Sequence, residues 1–330
     1  MLIDPLPPLV PGYHNVVAEF KNYGVNTLSS VDIQWEVNSV PQQVFQWTGS
    51  LGPGDISPQI ILGTADFPPG MSSLQIWTEM PNGTADYNNS NDTLYREFCS
   101  ALNGSYTIGG TSPDFPGFGE AANALANCGV SGNVYFDVRP GVYHENIRIP
   151  EIPGASETCT ITFDGHHAYL VTLYHDASVQ PAVVQILGGD YVTFRNITFE
   201  NTGITNAWGV HLRNRSDHIT IDSCSFYMNL YAVANTIAII ASNNETDDFS
   251  EGNTTNYSCF SNNFISGGDM GIHIEGNGDN PPDWIRNISI LNNTFSHNVD
   301  FGIYVDNIDS LIISGNSVSE IESQALDAIN

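Results

Sequence analysis

Positive charge is scarce in this chain. Eight Lys and Arg stand against 36 Asp and Glu in 330 residues, a formal net charge of −28. Phosphate backbones are held by clustered Lys and Arg, so the composition argues against nucleic acid as a partner. It argues against an anionic membrane surface for the same reason. Solubility in a salty medium, where screening weakens self-repulsion, accounts for the acidic excess. Sites for divalent cations are the second reading.

Cysteine is sparse as well. Cys99, Cys128, Cys159, Cys224 and Cys259 contain no CxxC pair, which argues against a zinc site. An odd count leaves at least one thiol over within the chain. Cys128 with Cys159 is the candidate disulfide. No apolar run reaches the length of a transmembrane helix, so membrane insertion is not expected. Met1 is followed by a Pro-rich stretch, PLPPLVPG, with no apolar core of a signal peptide. The last residues, SQALDAIN, stop in mid-pattern. Both ends therefore read as cut from a longer, secreted or cell-surface protein.

What the chain does have is strand pattern. Apolar residues make up 41% of it and aromatics 11%, enough for a sizeable core. Residues 1–12 read as a linker or as the end of a truncated preceding segment. Residues 13–98 alternate β-rich runs (VVAEF, VDIQWEV, QQVFQW, QIILG, SLQIWTEM) with Gly, Pro and Asn turns, the mark of a β-sandwich. Trp35, Trp47 and Trp77 are its expected core. The stretch from KNYG through SSVDIQWEVN, WTGSLGPG and PNGTADYNNSNDT resembles the CARDB-type, immunoglobulin-like modules of bacterial surface proteins, those of Bacteroidota-like secreted proteins above all. The resemblance implies a spacer or adhesion unit.

Residues 99–112 read as a junction. From 113 the pattern changes. Phe118–Asn127 has helical spacing, with Ala121, Ala124 and Leu125 on one face and Gly129 as a stop. The strand NVYFDV and the turn PGVYHENIRIP follow. The block resembles the N-terminal cap of pectin-lyase-like β-helices, whose open end would otherwise expose strand edges and core. The chain then repeats itself in DYVTFRNITFEN, DHITIDSCSFYMN, NYSCFSNNFISGG, RNISILNNTFSHN and DSLIISGNSVSEI. The anchors Phe199, Phe226, Phe264, Phe295 and Val318 are 27, 38, 31 and 23 residues apart. Such a period with variable insertions points to a β-solenoid. Asn262, Asn293 and Asn316 sit two before an anchor and predict a stacked Asn ladder. The expected fold is all-β: an Ig-like sandwich, then a right-handed parallel β-helix over 113–330 with a short capping helix.

Chemistry is less explicit. WGVHLR, MGIHIEG and FGIYVDN align on their central Gly, which stacks His211, His273 and Tyr304 in one outward row and Arg213, Glu275 and Asp306 in the next. Such rows suit either a solvated sheet face or a polysaccharide groove, in which planar groups meet sugar rings and carboxylates supply acid–base chemistry. Asp247 and Asp248 lie in an Asn-rich insertion and read as a solvated loop; Asp269 carries the same ambiguity. In DYNNSND, Asp86, Asn88, Ser90 and Asp92 alternate as in oxygen-rich Ca²⁺ loops, but without the turn Gly or the distal Glu, so they also suit a plain turn. The catalytic signatures of pectin methylesterases and polygalacturonases are missing, and of the pectate lyase set only Arg213 is placed outward. The leading expectation is a non-catalytic adhesion or carbohydrate-contacting stalk. A polysaccharide lyase or glycoside hydrolase acting on acidic polysaccharide is the alternative, and a self-associating filament subunit the third reading.

Overall fold

The computed structural model describes residues 2–5, 9, 11–86, 88–176, 181–232, 234–244, 250–278, 284–320 and 324–329, without the side chains of 89 and 324–329. Contacts divide the chain into two units, Met1–Leu102 and Asn103–Asn330.

The first unit is a β-sandwich. One sheet holds Leu2–Asp4, Gly12–Ala18 and Ile60–Phe67; the other is built from Val40–Pro41, Leu28–Val37, Gly70–Glu79 and Thr93–Ser100, with Phe45–Leu51 paired to Leu28–Val37. Within residues 1–12, read from the sequence as a linker or a truncated preceding segment, Leu2 and Leu9 are buried in the sandwich core. Two-residue alternation sends Val31, Ile33, Trp35 and Val37 inward. The same alternation sends Leu74 and Ile76 inward, which leaves Trp77 on the outer face, where its indole donates to Glu79 at 2.9 Å. Of the three tryptophans, Trp35 is buried and Trp47 packs against the core from its margin.

The second unit is a right-handed parallel β-helix with three sheets. The first contains Val130–Val138, Ile161–Asp164, Val192–Arg195, Thr220–Asp222, Cys259–Ser261, Ile285–Leu291 and Ile308–Ser314. Its edge strand, Leu102–Ile108, occupies what the sequence suggested was a junction. The second sheet contains Gly141–His144, Val171–His175, Thr198–Asn201, Ser225–Met228, Phe264–Ser266, Thr294–Ser296 and Ser317–Ser319. The third contains Ile147–Pro150, Ala182–Leu187, Thr205–Arg213, Ala234–Ala241, Met270–Glu275, Phe301–Asp306 and Gln324–Ile329.

A helix, α1 (Phe118–Cys128), buries Phe118, Ala121, Ala122, Ala124 and Leu125 and packs against Ile147–Pro150. It ends at Gly129, whose φ of 67° favours glycine and whose N–H bonds the Leu125 carbonyl. Inside the solenoid, rings stack coil upon coil. Phe136 and Phe163 lie 4.6 Å apart, Phe163 and Phe194 5.0 Å, and Phe199 and Phe226 5.0 Å, all within 23° of parallel.

The anchor row of the second sheet is Phe199, Phe226, Ile265, Phe295 and Val318. Ile265, not Phe264, points inward, and Phe264 is 37% exposed. The Asn ladder shifts with it by one residue, from Asn262 to Asn263. Asn263 Oδ1 accepts from the Cys224 N–H at 2.9 Å, Asn293 Oδ1 from the Asn263 N–H at 2.9 Å, and Asn316 Oδ1 from the Asn293 N–H at 2.8 Å. Their amides donate to Ile221, Phe260 and Ile290 carbonyls. Asn262 instead takes the left-handed turn position beside the ladder, at φ 55°.

The cysteines depart from expectation. Cys128 is disulfide-bonded, as is Cys99, whereas Cys159 is free. The Cys128–Cys159 pair is therefore not formed. Cys159 closes a tight turn of its own, exchanging backbone hydrogen bonds with Ser156 in both directions. No helix among the described residues is long and apolar enough to cross a membrane.

Candidate functional site

The two rows singled out in the sequence lie on the outer side of the third sheet. Pairing sets His273 beside Tyr304 and Glu275 beside Asp306. Between His211 and His273 runs the strand Ala234–Ala241, which places Ile240 in the row. Nothing in ANTIAIIA resembles the repeat signature, so this coil goes unread in the sequence.

The rows are not an open groove. His211 and His273 have no exposure at all, and Glu275 is 7% exposed. Beside them runs an apolar spine: Ala182, Trp208, Ile237 and Met270 stand in one register with Phe301. The residue before each aligned Gly (Trp208, Met270, Phe301) is a large apolar group, and this was the sequence signal for the spine. Two of those glycines are required by the interior: a Cβ on Gly209 would lie 2.8 Å from the Phe226 ring and one on Gly271 2.5 Å from the Phe295 ring.

Within this buried layer His211 joins a directed chain. Arg148 Nε–H donates to Gln185 Oε1 at 2.8 Å; the Gln185 amide donates to His211 Nδ1 at 3.3 Å; His211 Nε2–H donates to the Ser242 carbonyl at 3.0 Å. Burial drives the His211 pKa down to about 3, against the opposing Ser242 bond and with help from the Arg213 charge. Arg213 donates to the Asn243 carbonyl at 3.1 Å. His273 approaches Glu275 to 3.4 Å and the Tyr304 ring to 4.8 Å between centroids. Asp269 is a turn residue, its carboxylate accepting from the Thr236 N–H at 3.2 Å. Asp247 and Asp248 lie outside the described residues.

The face left open is that of the second sheet. His144, Tyr174, Glu200 and Tyr227 follow one another on successive coils in one outward row. His144 meets Tyr174 edge-on at 5.0 Å, and Tyr227, 47% exposed, lies 5.9 Å from the ring of Phe264. At the N-terminal end of the row, His144, Glu145, Asn146, Tyr174, His175 and Asp176 line a hollow of about 460 Å³. Glu145 is fixed there by the Gly119 N–H in the first turn of α1, at 2.6 Å. The sequence reading missed this row, although the run of one outward aromatic or carboxylate per repeat was its signal.

In the candidate cation loop of the sandwich, side-chain oxygens close local turns. Asp86 Oδ1 accepts from the Asn88 N–H at 2.9 Å, and Asn88 Oδ1 from the Ser90 hydroxyl at 2.7 Å. These are turn-closing bonds that spend the oxygens locally. Partial burial, then the neighbouring Asp86 charge, raise the Asp92 pKa. Among the described residues no group of three or more His, Cys, Asp or Glu is gathered for a metal ion.

No family model matches the chain, and no curated protein matches it. Eight chains of solved structures do. A pectin methylesterase from carrot is 16% identical over 69% of this chain and 90% of its own, with a TM-score of 0.37. A pectin methylesterase mutant in complex with a hexasaccharide is 11% identical over 69% of this chain and 94% of its own, at 0.34. The CARDB domain of a Pyrococcus furiosus protein, in complex with di-metal ions, is 21% identical over 28% of this chain and 83% of its own, at 0.23.

Proposed function

We propose that this chain is a non-catalytic extracellular protein that holds a polysaccharide on the outer face of its second solenoid sheet, with the sandwich as spacer or adhesion unit. The observation that carries the reading is the open row His144, Tyr174, Glu200 and Tyr227 beside the hollow at its end. Tyr174 and Tyr227 stand two strand spacings apart, about 10 Å, commensurate with two linked sugar rings. Exposed aromatic faces take the apolar face of a pyranose, and a carboxylate between them takes its hydroxyls. Glu145, Asp176 and Glu200 line this face, and the chain as a whole carries −28, so the charge balance favours a neutral glycan over a polyuronate as the ligand. Disulfide-bonded Cys99 and Cys128 support an oxidising, extracellular location. The catalytic alternative would use His273 and Glu275, both closed off from solvent.

Affinity electrophoresis against neutral and acidic polysaccharides, run with assays for reducing ends and unsaturated products, tests this reading. Retardation by a neutral glycan without turnover, reduced in Tyr227→Ala, is expected. Product formation lost in His273→Ala or Glu275→Ala would make the protein an enzyme and overturn it.

A further inference from the structure

The sandwich has a half-open pocket of about 630 Å³ at one pole, between the end of Gly12–Ala18, the start of Leu28–Val37, the loop 19–26 and the residues 81–86, 88 and 91–92. Its floor is core: Val31, Ile33, Leu62 and Ile76, each less than 8% exposed. The volume and apolar lining are those of a small-molecule pocket.

The mouth is polar, and most of its polar groups are already committed. Asn22 donates to the Asn26 and Leu51 carbonyls and accepts from the Gly24 N–H. Asn82 accepts from Ser29 and donates to the Thr27 carbonyl. Asp86 closes its own turn onto Asn88. Lys21, the single lysine of the chain, lies over the Tyr23 ring at 5.0 Å. The Asp92 carboxylate, by contrast, receives no hydrogen bond from any described residue while lining the cavity beside Asp86. On the rim, Tyr23 and Val25 are 68% and 88% exposed.

We infer that this pole binds a small amphiphilic cation: an apolar body enters between the sheets, and an amine or other organic cation stays at the mouth against Asp92 and Asp86. The cation removes the repulsion between two neighbouring carboxylates, and the body covers the apolar floor of the pocket. The site is independent of the glycan face and stands or falls by itself.

Octylamine, octanol and octanoate, each titrated calorimetrically into the full chain below micelle-forming concentrations, separate the two halves of the inference. Octylamine is expected to bind about tenfold or more tighter than octanol, and octanoate not to bind. Asp92→Asn should bring octylamine down to the octanol level with unchanged thermal unfolding. Val31→Phe, which places a larger side chain at the floor of the pocket, should abolish binding of both. Equal binding of octylamine and octanol, no binding of octylamine, or indifference to Asp92→Asn overturns the inference. So does displacement of octylamine by low-millimolar Ca²⁺, which would make the mouth a metal site.

Discussion

Gln185 donates to Nδ1 of His211, and His211 in turn donates its Nε2–H to the Ser242 carbonyl. Both ring nitrogens are thereby used by the neutral imidazole, and protonation would set a proton on Nδ1 against the Gln185 amide. The folded pKa, about 3, lies below the ordinary 6.5, so the unfolded chain takes up the proton first. Stability from this residue is complete above about pH 6.5 and is lost as pH falls toward 3, by roughly 5 kcal/mol at most. Urea unfolding at pH 7, 5 and 4 should show a falling midpoint, and the fall should be smaller in His211→Gln. An NMR titration in which the His211 ring charges near pH 6 would refute the burial argument.

The one-residue shift of the Asn ladder can be read directly. Asn293 accepts from both the backbone and side-chain amide of Asn263 and donates to Phe260. Asn293→Ala leaves buried backbone groups unpaired and is expected to cost about 2–4 kcal/mol in chemical denaturation. Asn262 sits exposed in the left-handed region, so Asn262→Gly should change stability by less than about 0.5 kcal/mol. The reverse ranking would restore the register centred on Asn262.

The thiols should differ sharply. Burial pushes the Cys224 thiol up to about 12, so it is neither ionised nor reachable near neutral pH. Iodoacetamide on the native, unreduced protein is expected to label Cys159 and Cys259 and to spare Cys224, Cys99 and Cys128. A non-reducing peptide map with Cys159 in a disulfide would reverse the assignment.

On the second sheet, Tyr174→Ala with Tyr227→Ala should weaken retention on a neutral glycan by about tenfold or more. The unfolding midpoint should move little, because both side chains stand outside the solenoid core. Loss of retention together with loss of folded signal would show a packing role instead.

Much of the architecture is legible in the sequence because a solenoid writes its period into the chain. The recurring Asn-x-apolar step and the helix at 118–128 need only local pattern. Phe264 misled because Ile265 is also apolar, and two adjacent apolar residues do not say which one turns inward. The strand Ala234–Ala241 is apolar on both sides and carries no turn signature, so it hid in the longest repeat step. The burial of His211 and His273 depends on chain distant in sequence, such as Ser242 for His211, and alternation alone predicts only that these residues face out. Cysteine pairing is set by three-dimensional proximity and was not available from spacing.

Each strand of the solenoid pairs with the strands one coil before and one coil after. A duplicated coil therefore inserts between existing neighbours and meets the same rings and the same Asn amides on both sides. Gene-level slippage can lengthen such a molecule by about 4.8 Å per copied coil without a new packing solution. A row of one surface residue per coil grows with it, so this architecture can acquire additional subsites for a repeating polymer by copying instead of by invention.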